Sequence, residues 1–83
     1  MYNYETERHE VFTENGQVMF LKLRDRIDAL LAKAGAVRLQ EAMAEITGPG
    51  WTILACVDRM IELGEIREIT DASVAGQYRV FIR

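Results

Sequence analysis

Cysteine, proline, histidine and tryptophan each occur once in these 83 residues, and serine occurs only at position 73. The single Cys56 excludes a disulfide framework and a cysteine-based zinc site. The single Pro49 excludes a proline-rich linker. Nowhere do about 18 apolar residues run together, so no membrane-spanning helix is predicted. Charge of one sign is also scarce, with 13 acids against 10 bases and a formal net charge of −3. Nucleic-acid-binding domains with a strong electrostatic footprint have a pI above about 9, and this chain has a pI near 5.1.

Catalytic machinery is equally thin. A reaction centre needs a positioned nucleophile, base or metal. His9 lies in an acidic N-terminal stretch. Cys56 falls on the apolar side of a helical pattern and reads as a buried, inert thiol rather than a reactive one. Ser73 sits in a turn-rich segment with no base placed beside it. No metal-ligand spacing occurs, and Gly48-Pro49-Gly50 lacks the Gly-Lys-Ser/Thr ending of a phosphate loop. The expectation is therefore no enzyme, no metal and no cofactor.

Hydrophobic residues make up 49% of the chain and charged ones 28%, which is a globular composition. Eighty-three residues hold one core. The acidic excess is local. Residues 1–16 carry Glu5, Glu7, Glu10 and Glu14 against Arg8, whereas residues 17–83 carry nine acids and nine bases. That contrast divides the chain into an acidic, partly ordered N-terminal arm (1–16), with a short extended piece at Val11 and Phe12, and a folded domain (17–83). The arm has neither the basic nor the apolar stretch of a signal peptide, so a soluble, cytoplasmic setting is expected.

Asn15-Gly16 marks a turn or cap. From Gln17 to Ala34 the pattern is an amphipathic helix, with Met19, Phe20, Leu23, Ile27, Leu30, Leu31 and Ala34 on one face and Gly35 as its stop. Val18, Leu21 and Ala32 form a weaker second stripe, either ordinary surface, covered by the N-terminal arm, or a dimer contact. Ala36 to Arg38 favours a short strand, and Leu39 to Ile46 a short helix. Thr47-Gly48-Pro49-Gly50 breaks the chain tightly before a third helix, Trp51 to Leu63. There Ile53, Leu54, Cys56, Val57, Met60, Ile61 and Leu63 cover about half the circumference, leaving Trp51, Thr52, Ala55, Asp58, Arg59 and Glu62 on the other arc. Past Gly64 the period changes from 3.6 to 2. Glu65 to Thr70 alternates, Asp71 to Gly76 is turn-rich, and Gln77 to Arg83 alternates again. Tyr78, Val80 and Ile82 share one face, and Gln77, Arg79, Phe81 and Arg83 the other. Two such strands form a hairpin.

Helix, short strand, short helix, tight turn, helix and hairpin is an order that resembles the winged helix-turn-helix domain. The resemblance is carried by Val37-Arg38-Leu39-Gln40-Glu41-Ala42 and by Val57 to Arg67, which is similar to the passage from recognition helix to wing in small bacterial regulators. It covers residues 17–83. It implies an α+β, mainly α fold: a three-helix winged helix-turn-helix with a C-terminal β-hairpin wing.

The resemblance also implies a function. In such domains the third helix enters the major groove of duplex DNA and the wing touches the backbone or minor groove. Carried over residue by residue, the nucleic-acid contacts are Trp51, Thr52, Ala55 and Arg59 on the helix, Arg38 and Gln40 at the start of the second helix, and Arg67 and Arg79 on the wing. Arg59 would take a guanine edge or a phosphate. The expected role is a DNA-binding transcriptional regulator acting as a homodimer through Val18, Leu21 or the arm. The competing role is a protein-interaction or adaptor module of the same fold, favoured by the neutral domain and the broad apolar girth of the third helix. Trp51 serves either reading, folded over the helix start or exposed as an aromatic anchor for a protein partner.

Overall fold

The computed structural model describes residues 1–70 and 79–83. The turn expected over Asp71–Gly76, with Ser73, and the strand positions Gln77 and Tyr78 lie outside the described residues. Helix α1 (Tyr4–Glu7) runs into a 3-10 turn (Arg8–Phe12), followed by α2 (Glu14–Ala34), β1 (Val37–Arg38), α3 (Leu39–Met43), α4 (Gly50–Glu62), β2 (Arg67–Ile69) and β3 (Val80–Ile82). The three strands form one antiparallel sheet in the order β1-β3-β2. Phe81 faces both Val37 and Glu68, and Val80 faces both Arg38 and Ile69. The fold is thus α+β and mainly α. Among the described residues no helix is long and apolar enough to cross a membrane.

Of the expected face of helix α2, Met19, Phe20, Leu23, Ile27 and Leu31 are in the core and Leu30 is half-buried, while Ala34, in the last turn beyond the packed elements' reach, is exposed. It starts three residues earlier than the pattern suggested. Thr13 is its N-cap, and the Thr13 hydroxyl accepts the Gly16 amide at 3.0 Å. Gly35 ends it in the left-handed region, φ 79°, with its amide donating to the Leu31 carbonyl. Gly64, φ 76°, ends α4. There the Gly64 amide donates to Ile61 and the Glu65 amide to Met60, a Schellman closure that turns the chain sharply towards β2.

Helix α4 is the centre of the molecule. Ala55, Cys56, Val57 and Met60 are fully buried, and α2, the 3-10 turn and α1 all pack on it. The N-terminal segment is therefore part of the core rather than a partly ordered arm. Val11 is 1% exposed, and the extended piece expected at Val11 and Phe12 is a 3-10 turn. The reason is geometric. Gly16 lets the 3-10 turn lie directly on the start of α2, and Gln17 Nε2 donates to the Val11 carbonyl at 2.6 Å.

Alternation along β3 leaves open which of its two faces looks inward. Phe81 is fully buried, and Val80 nearly so, while Ile82 is half-buried. The Arg79–Phe81 face is the core face. Arg79, at φ 44°, is the one non-glycine residue with positive φ among those described, and its guanidinium lies 5.2 Å from the Phe81 ring centroid.

A Cβ at Gly16 would lie 1.8 Å from the Glu10 carbonyl oxygen, a backbone atom that cannot swing aside. Gly16→Ala is therefore expected to destabilise the protein by about 2 kcal/mol or more, the upper range for overpacking. A urea denaturation series checks this. An unchanged midpoint would show that the 3-10 turn is not seated on α2.

Candidate interaction surface

The outward stripe of α4 comprises Trp51, Leu54, Asp58, Ile61 and Glu62. Two carboxylates, Asp58 and Glu62, stand one helical turn apart on it. Each receives a tyrosine from the N-terminal segment. The Tyr2 hydroxyl donates to Asp58 Oδ2 at 2.6 Å, and the Tyr4 hydroxyl donates to Glu62 Oε1 at 2.9 Å.

Each carboxylate also receives arginine. Arg79 donates to Asp58 Oδ1 at 2.6 Å and to Glu68 Oε1 at 3.0 Å. Arg8 donates to Glu62 at 3.1 Å and Arg59 to the same carboxylate at 2.6 Å. Phe12 sits between the last two, its ring centroid 5.0 Å from the Arg8 guanidinium and 5.1 Å from that of Arg59.

This network moves the titrations of its members. Hydrogen bonds from Arg8 and then Arg59 hold the Glu62 carboxyl down at about 2. Burial, followed by the bond to Asp58, pushes the Tyr2 phenol far above its usual range. Tyr4 rises for the same two reasons, with Glu62 as the partner. Burial works against the charge on Arg79, but its bonds to Glu68 and Asp58 more than offset it, and the guanidinium stays cationic. Away from the network, burial pushes the Cys56 thiol up to about 11, as expected of an inert cysteine. Its thiol points at the Gly16 carbonyl, 3.8 Å away.

The residues carried over as nucleic-acid contacts fall into three kinds of place. Ala55 is fully buried and Thr52 nearly so, so neither belongs to an exposed reading face. The 3-10 turn and α2 close over that arc of α4. Arg38, Arg59 and Arg79 are engaged by carboxylates, Arg38 through Glu41 at 3.4 Å. The Arg38 amide also donates to Glu41 Oε1, and these bonds lower the Glu41 pKa. Arg67 donates to the Arg83 carbonyl at 3.2 Å. Gln40 and Trp51 are exposed, Trp51 by 47%. Val18 and Leu21 are half-exposed on the outer side of α2.

Tyr2, Tyr4, Arg8 and Phe12 were not among the expected site residues. Their one trace in the sequence is that α4 carries more apolar surface than α2 and a hairpin can cover. No family model matches the chain, and no curated protein or solved structure matches it either.

The depressed Glu62 pKa fixes the sign of a pH effect. A carboxylate held down from the usual 4.5 to about 2 in the folded state contributes stability in full above pH 4.5, and that contribution is lost as pH falls towards 2. The urea midpoint of the wild type is expected to fall over that window more steeply than that of Glu62→Gln. Parallel pH profiles would show that the Arg8 and Arg59 bonds do not persist in solution. Arg79→Met, which strands Asp58 and Glu68, is expected to lower stability by about 1–3 kcal/mol, read in the same denaturation assay. A loss within error of zero would contradict the pairing.

Proposed function

We propose that this chain is a winged-helix protein-interaction module, an adaptor that does not read DNA. The order of its elements supports the winged-helix half of that reading. Helix, strand, helix, helix and hairpin follow one another, as the resemblance in residues 17–83 implies, and β3 lies between β1 and β2.

The observation that carries the functional half is the state of the arginines. Sequence-independent affinity for a duplex comes from cations free to neutralise phosphates. Arg59, the expected base reader, is bound to Glu62 at 2.6 Å, and Arg79, the expected wing contact, is bound to Asp58 at 2.6 Å. Releasing either leaves a carboxylate facing the phosphates, which raises repulsion as it frees the cation. Trp51, exposed at the start of α4, offers an aromatic anchor suited to a protein partner. The apolar girth of α4 is not part of this support, because the 3-10 turn and α1 already cover it.

Fluorescence anisotropy with a labelled random duplex at about 50 and 200 mM salt tests the reading. No binding at either salt is expected. Tight binding that falls steeply with salt, and that Arg59→Ala weakens more than about tenfold, would replace the adaptor by a DNA reader.

A further inference from the structure

Helix α2 turns Val18, Lys22, Asp25, Ala29 and Lys33 outward along one side. The segment after α3, Glu45 to Pro49, runs beside it and leaves two hollows, of about 340 Å³ and 520 Å³. Lys22, Glu45 and Ile46 line both, so the two run together as one groove beside α2. Its walls are apolar at Val18 and Pro49 at one end and at Ala29 and Leu30 at the other. Val18 is 53% exposed.

The charge of this groove opposes that of the chain. Lys22 and Lys33, the only lysines in the sequence, both line it, together with Arg26, against Asp25 and Glu45. Arg26 is already held by Glu45 at 3.3 Å and by the Glu41 carbonyl. Among the described residues neither lysine has an ion-pair partner. The groove is thus net positive in a chain of net charge −3. The lysines stand eleven positions, or three helical turns, apart, which is about 16 Å along α2.

We propose that this groove docks an acidic amphipathic helix of a partner protein. Its apolar side lies on Val18, Leu30 and Ile46, and two carboxylates about three turns apart meet Lys22 and Lys33. Helix-in-groove recognition of this kind draws affinity from the apolar floor and orientation from rim charges. The inference rests on the protein-binding reading above and supplies the partner's chemistry.

The test titrates the full chain, by amide chemical-shift mapping, with a synthetic helical peptide carrying leucines on one face and glutamates on the other. A matched peptide with lysines in place of the glutamates is the control. Shifts at Val18, Lys22, Lys33 and Ile46, saturating with the acidic peptide alone, are expected. The variant Lys22→Glu with Lys33→Glu, both surface positions that leave the core intact, should bind roughly tenfold or more weakly, and Val18→Asp should weaken binding as well. Equal binding of both peptides, shifts confined to another face, or no binding by a folded chain would overturn the proposal. Absence of duplex binding alongside such a failure leaves the adaptor reading standing without this groove. Salt-steep duplex binding removes the adaptor reading itself.

Discussion

Helix α4 must be walled in on more sides than α2 and a hairpin can provide. Thr52, Ile53, Ala55, Cys56, Val57 and Met60 are all buried, an arc wider than the stripe of an ordinary amphipathic helix. Burial of apolar surface is the dominant favourable term in folding, so that arc needs a third wall. The first thirteen residues supply it. Val11 plugs the core, and Gly16 allows the 3-10 turn to meet α2 at backbone distance.

That wall decides what the outward stripe of α4 can do. Closing it brings Tyr2 and Tyr4 over Asp58 and Glu62, and Arg8 and Phe12 beside Arg59. A carboxylate that accepts a tyrosine and one or two arginines has its charge satisfied within the protein. The cations are satisfied with it. The electrostatics of the stripe are consequently closed, and the groove beside α2 carries the two lysines without ion-pair partners among the described residues.

The hydrophobic period made α2, α4 and the short strands readable because each places its apolar residues on one face. The stops at Gly35 and Gly64 were equally readable, since both demand the left-handed region. Three things were not. The N-terminal segment has only Val11 deeply buried, and one residue has no period. Glu5, Glu7 and Glu10 give it the composition of a solvated arm, although Tyr2 and Tyr4, interleaved with them, pack against the core. The inward face of β3 was hidden because strand alternation alone does not say which face is covered. Phe81 is fully buried, and Val80 on the opposite face nearly so. The pairing of Arg59 and Arg79 was illegible because it depends on tertiary approach. Arg79 reaches Asp58 across 21 residues, so composition could count the charges without saying which cancel. Ala55 shows the same limit, exposed on a helical wheel and buried by a segment far away in sequence.

Native-state hydrogen exchange tests most directly whether the N-terminal segment is a wall of the core. The Arg8 amide is bonded to the Tyr4 carbonyl and the Thr13 amide to Glu10, while the Leu63 amide of α4 is bonded to Arg59. If α4 depends on that wall, the Arg8 and Thr13 amides will be protected, and their exchange will rise in parallel with that of Leu63 as urea is added. Exchange of Arg8 and Thr13 at the rate of an open chain, with Leu63 still protected, would contradict the account.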